Sequence, residues 1–239
     1  MFIYLYYASA IILIPGILFS LYAQIKINAS YKKYSRRMAS SQWVAGEMAQ
    51  MLIEKKGLNV KVCQIHGNLT DNYNPTTQVL SLSQGVYNSA SIAALAVSAH
   101  EVGHAVQHQE GYFMLKFRSF MVGVVNFGSR LALPLAIIGL LLTWTAQFYT
   151  FGEYLLAIGI FAYSLTAIFA FITLPVEINA SNRAKKMLIE NNVLTERELK
   201  GAKSVLSSAA LTYVASLVIS LLYLLRFILI IASLKRNRD

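Results

Sequence analysis

The chain has 239 residues, 56% of them apolar and 13% charged, against about 45–50% and about 25% in soluble domains. That balance excludes a disordered polypeptide and an ordinary water-soluble globule, and the single cysteine, Cys63, excludes a disulfide framework or a multi-cysteine zinc module. The net charge of +10 is therefore read as a membrane topology signal, and the absence of a nucleic-acid motif argues against a nucleic-acid partner.

A bilayer core of about 30 Å needs about 20 apolar residues in a helix. Residues 2–25 carry no charge, exceed the apolar core of a signal peptide and follow nothing basic, so they predict a retained membrane helix. Residues 26–56 read as a helix: Trp43, Met48, Met51 and Leu52 recur at helical spacing, and Gly57 stands at its end. The alternating runs 58–63 and 78–82, separated by the turn-rich residues 67–75, predict two strands of a short antiparallel sheet. Ser91 opens a helix that runs to about Glu110 and stops at Gly111.

Residues 131–148 predict a second span and residues 154–174 a third, which ends at Pro175. The short connection between them makes a hairpin. A fourth apolar stretch, 207–234, is interrupted by Arg226 and followed by a basic tail. The expected fold is mainly α and membrane-embedded, with about four transmembrane helices and a small α+β part. Its segments are a first helix (1–25), a mixed polar part (26–118), a hairpin (119–176), a polar segment (177–206), and a last helix with its tail (207–239).

Ten Lys and Arg fall in residues 26–118 and six in 177–205, whereas the N-terminus and the 149–153 connection hold none. The positive-inside rule puts both large loops in the cytoplasm. Three positive charges in the tail oppose this if the last helix spans fully.

The helix opened by Ser91 carries His100-Glu101-Val102-Gly103-His104, an H-E-x-x-H pattern. Histidines at i and i+4 share one helical face, so both imidazoles can bind one zinc ion. The glutamate after the first histidine stands beside it, as a general base for a zinc-activated water requires. A catalytic zinc also needs a third protein ligand. His108 continues the i+4 series, but the outer imidazoles of such a series lie about 12 Å apart, so all three cannot converge. The glycine and histidine of the metzincin extension are replaced by Gln107 and Glu110. Glu190, Glu196 and Glu198 lie in a charge-mixed stretch with a Thr195–Glu198 capping box. Glu177 stands instead in an apolar approach just after Pro175, where a carboxylate is costly without a role. It is the preferred third ligand.

These residues carry a resemblance. The TDNYNP run at 70–75, AHEVGHAVQ at 99–107, PVE at 175–177 with Ala180-Ser181 and Arg183-Ala184, and ALTYVA at 210–215 resemble, in order over nearly the whole chain, the YugP-like family of bacterial membrane zinc metallopeptidases. The resemblance implies a zincin-like catalytic domain with a gluzincin-like site. One zinc per chain would be held by His100, His104 and Glu177, with Glu101 as general base, in a multi-pass protein of the bacterial plasma membrane. Ser181 and Asn179 stand where HtpX-like and YugP-like relatives carry an aspartate, so the groups that orient a ligand histidine differ. By analogy with such peptidases, the strand at 79–82 would bind substrate backbone by strand addition. Tyr213 and Arg183 are candidate oxyanion partners.

The expected function is a zinc-dependent membrane endopeptidase acting at the cytoplasmic membrane surface on membrane proteins or peptides. Two alternatives are a non-catalytic scaffold with structural zinc, completed by His66 or His108, and a site-2-type protease with its motif helix inside the bilayer. The second is disfavoured by the short apolar run before His100 and by the lack of an aspartate in any span.

Overall fold

The computed structural model describes residues 9–236; the first residues of the predicted first span and the last three of the tail lie outside them. In chain order the elements are a 3-10 turn (Ile11–Leu13), α1 (Ile14–Ser35), α2 (Ala45–Lys55), β1 (Lys61–Ile65), β2 (Asn72–Asn74), β3 (Val79–Ser83), the single turn α3 (Gln84–Tyr87), α4 (Ile92–Gln109), α5 (Phe113–Leu142), a second 3-10 turn (Ala146–Phe148), α6 (Tyr149–Glu190) and α7 (Glu196–Arg236). The protein is mainly helical. Among the described residues, four helices are long and apolar enough to cross a membrane: α1 with the turn before it, α5, α6 and α7.

Several elements run further than their apolar stretches predicted. The first span continues as α1 to Ser35, and the single helix expected over 26–56 is broken by the irregular residues 36–44 before α2. The helix of the second span, α5, begins at Phe113 and ends at Leu142, so the hairpin connection lies at 143–148. Pro175 does not end the helix of the third span: α6 is continuous for 42 residues. A proline inside a helix removes one backbone bond, a loss that membrane helices tolerate where neighbouring groups compensate.

The chain divides into two compact units, one of residues 23–116 and 174–212, the other of the remainder. In the first, the sheet has the order β1-β3-β2. β2 pairs antiparallel with β3, and β1 pairs parallel with it, Cys63 opposite Ser81. The expected purely antiparallel sheet is thus a mixed one. β2 lies in the turn-rich run read as loop, and taking the far edge of β3 leaves β1 parallel. Two side chains shape that run. Asn74 Oδ1 accepts the Thr76 and Thr77 backbone N–H groups at 2.9 and 3.2 Å, and Asp71 Oδ1 accepts the Ser83 N–H at 2.8 Å. β3 is therefore the central strand, paired with β1 along 79–83 and with β2 along 79–81, and not the edge strand that the substrate addition expected at 79–82 requires.

Met48, Leu52 and Ile53 of α2, Leu80 and Leu82 of β3, and Leu95, Ala99 and Val102 of α4 form one buried core with Leu188 and Val193. α4 begins as predicted, with Ser91 Oγ accepting the Ala94 N–H at 3.2 Å. It ends in a Schellman motif: Gly111 has φ +66°, and the Tyr112 N–H reaches the Gln107 carbonyl at 2.9 Å. In the other unit, the Arg226 Nε–H of α7 donates to Ser9 Oγ at 3.3 Å.

Candidate metal centre

α4 carries His100 and His104 four residues apart, and their rings meet edge to face with centroids 4.7 Å apart. α6 supplies Glu177. Its Oε2 lies 3.1 Å from His100 Nε2 and 3.5 Å from His104 Nε2, and the carboxylate is 2% exposed. One donor atom from each residue falls within 4.8 Å of the other two, a group that could hold a metal ion.

The two helices approach this closely because of Gly103, between the histidines. A Cβ at that position would stand 2.7 Å from the Ala180 carbonyl oxygen, so only glycine fits there without moving α6. Every residue of α4 from Glu101 to Gln107 is buried.

Each imidazole is held on the side away from Glu177. His104 Nδ1 lies 3.0 Å from Gln107 Oε1. The Gln107 Nε2 donates to the Val176 carbonyl and to Asn179 Oδ1, both at 2.9 Å. Those two acceptors fix the orientation of the amide, so its oxygen faces His104 and Nδ1 carries the proton, which leaves Nε2 as the donor atom toward Glu177. His100 Nδ1 lies 3.2 Å from Ser181 Oγ, so the serine at the position of the relatives' aspartate reaches the far side of this ring. Asn179 in turn accepts the Arg183 Nε–H at 2.8 Å, and Arg183 Nη2 pairs with Glu110 at 2.6 Å. This ion pair holds the Glu110 carboxyl below the usual range, chiefly through the hydrogen bond from Arg183.

The electrostatics favour a cation among the three donors. Burial pushes the Glu177 carboxyl up, but hydrogen bonds and charge from both imidazoles outweigh it and hold it well below the usual carboxylate range. Burial pushes the His104 imidazole down, and the hydrogen bond to Glu177 with the charges of Glu101 and Glu177 raises it above its ordinary value. Two imidazole nitrogens and one buried carboxylate oxygen are also the donor types zinc takes in a three-ligand catalytic site. The residues fit the ion.

Glu101 is 9% exposed and lies next to His100 on α4; among the described residues no hydrogen bond or ion pair engages its carboxylate. His108 is turned to the sheet, with Nδ1 2.9 Å from the Tyr73 hydroxyl of β2, and His66 is exposed beyond β1. Neither joins the donor group, and among the described residues no fourth donor completes a closed site. Arg183 is engaged by Asn179 and Glu110, and Tyr213 is half-buried on α7. α4 itself is not among the helices long and apolar enough to cross a membrane. Sequence reasoning noted Gln107 and Asn179 only as departures from family patterns and did not join them to His104. The available signal was Gln107 at i+3 from His104, on the same helical face.

Residues 9–232 match the family described as "putative neutral zinc metallopeptidase". The chain is similar to the "putative membrane protease YugP" of Bacillus subtilis (strain 168), with 43% identity over 212 residues, or 88% of this chain and 91% of the relative. No solved structure matches.

Proposed function

This chain belongs to the neutral zinc metallopeptidase family, and on that premise we propose that it is a multi-pass membrane zinc endopeptidase in which His100, His104 and Glu177 hold one zinc ion and Glu101 is the general base. The observation that carries the reading is the convergence of both Nε2 atoms on one Glu177 oxygen, at 3.1 and 3.5 Å. An open three-donor site beside an unengaged carboxylate supports hydrolysis over the closed four-ligand site of a structural zinc.

A bound zinc ion supplies Lewis acidity there, polarising a carbonyl and bringing the pKa of a coordinated water to about 7. The protein supplies the rest. Gln107 holds His104 in the tautomer that presents Nε2, and Ser181 holds the His100 ring in place at Nδ1. Glu101 takes a proton from the attacking water at its carboxylate oxygen as the new C–O bond forms, and then delivers it to the departing amide nitrogen as the peptide C–N bond breaks. The buried walls of α4 limit access of bulk water.

The Lys and Arg counts support a cytoplasmic site: sixteen such residues lie in the two segments 26–118 and 177–205 that carry the donors. Substrates are then membrane proteins or peptides at the inner face of the bacterial plasma membrane. The segment boundaries at 25, 118, 176 and 206 are part of this proposal.

The test is Glu101→Gln in detergent-purified protein, with bound zinc and peptide hydrolysis measured on the same sample. Zinc content and thermal unfolding should match the wild type while hydrolysis falls by at least about 100-fold. Retained turnover would overturn the role of Glu101. Hydrolysis absent from the wild type on a broad peptide library would favour the scaffold.

A further inference from the structure

α5 carries an unexplained face. Ser119, Gly123, Asn126 and Arg130 follow one another at spacings of four, three and four residues, which aligns them along one side of a helix. All four are exposed. A Cβ on Gly123 would meet nothing within 4 Å. Among the described residues, no hydrogen bond or ion pair engages the Asn126 amide or the Arg130 guanidinium.

The depth of Arg130 makes this costly. It stands twelve residues after Arg118 and twelve before Leu142, the last residue of α5, or about 18 Å from each. Beyond Leu142 the hairpin turn carries Thr143, Trp144 and Thr145, with Tyr149 at the start of α6, the residue types of a membrane–water boundary. Lys116 and Arg118 mark the opposite boundary. Arg130 therefore lies near the middle of a hydrocarbon core about 30 Å thick, where an arginine faces a partner or a wet cavity rather than lipid. A polar stripe with an open glycine is also how membrane helices approach one another closely.

A second copy of the chain cannot supply the missing charge. Within the four spans, taken to the boundaries proposed at 25, 118, 176 and 206, the only acidic residue is Glu153, near the hairpin end of α6, where it accepts the Tyr149 hydroxyl at 2.9 Å. A copy inserted in the same direction brings that carboxylate to the boundary, not to mid-depth. We propose that the Ser119–Gly123–Asn126–Arg130 face of α5 docks a transmembrane helix of another protein that carries an aspartate or glutamate at mid-depth. This surface is distinct from the donor group and stands whether or not Glu101 is the base.

The test uses the full chain in phosphatidylcholine vesicles with two synthetic leucine-rich transmembrane peptides. They differ only in a central Glu or Leu, beside a photo-crosslinking residue. The Glu peptide should crosslink to α5, between Ser119 and Ile137, about tenfold more than the Leu peptide. Arg130→Leu should reduce it to the Leu-peptide level, with zinc content and thermal unfolding unchanged. Asn126→Leu should give a smaller loss. Equal capture of both peptides, capture insensitive to Arg130→Leu, or crosslinking of this face only to a second copy would each overturn the proposal.

Discussion

Gln107 Oε1 lies 3.0 Å from His104 Nδ1, and the same side chain joins α4 to α6 through the Val176 carbonyl. One fully buried amide therefore sets both the tautomer of a donor histidine and its position relative to the helix that brings Glu177. Gln107→Leu should weaken zinc binding about 10–100-fold, read as the zinc dissociation constant in competition with a chelator. Gln107→Glu keeps an acceptor for His104 Nδ1 and should lose less. Equal affinities in all three proteins would make Gln107 a packing residue only.

Removing the carboxylate that both imidazoles face has a simpler readout. Purified wild-type protein should carry about one zinc per chain, and Glu177→Ala should retain little after dialysis. The deletion leaves a cavity rather than an orphaned charge, so the protein should remain folded by circular dichroism. Zinc retained at the wild-type level would reject Glu177 as the third donor and turn attention to His108 or His66.

Gly103→Ala introduces a methyl group 2.7 Å from the Ala180 carbonyl oxygen, and neither backbone can yield without shifting a whole helix. Overpacking of this kind costs about 1–3 kcal/mol. The melting temperature should fall, and zinc affinity with it, because the shift separates the histidines from Glu177. A variant with unaltered melting and zinc binding would mean that the helices part without consequence.

Acid should expose the contribution of Glu198. Its carboxylate accepts the Ser40 N–H at 2.7 Å and the Thr195 N–H at 2.9 Å. Burial pushes this carboxyl up, and these hydrogen bonds with those of the two hydroxyls hold it below its ordinary value. A folded pKa below the unfolded one gives stability that is present above the unfolded value and is lost as pH falls through the folded one. Glu198→Ala should therefore cost about 1 kcal/mol near neutral pH. Below the ordinary carboxylate range the two proteins should converge. A pH-independent difference between their denaturation midpoints would contradict this.

The membrane spans and the motif helix were legible in the sequence because composition and spacing alone decide them. Twenty uncharged residues have few alternatives, and Ser91 and Gly111 mark both ends of α4 by local chemistry. The extent of α6 was not legible, because Pro175 reads as a stop in any chain whose neighbours are unknown. β2 was lost for a related reason. Asn-Tyr-Asn has no strand pattern, and only pairing with β3 makes it one. With it went the parallel register of β1 and the central place of β3. His100, His104 and Glu177 were found as residue types suited to zinc. The link from His104 through Gln107 to Asn179 was not, since an amide gains its meaning from the two acceptors it meets across the gap to α6.

The contact between Gly103 and Ala180 joins main chain to main chain, and this makes the donor geometry robust to sequence drift. The spacing of α4 and α6 at the site is set by backbone atoms that substitutions at other positions do not remove. Exchange of the buried Val102, Val106 or Val176 for another apolar residue should cost some stability and leave that backbone contact in place. Tolerance in the core and intolerance at one glycine are two sides of the same contact.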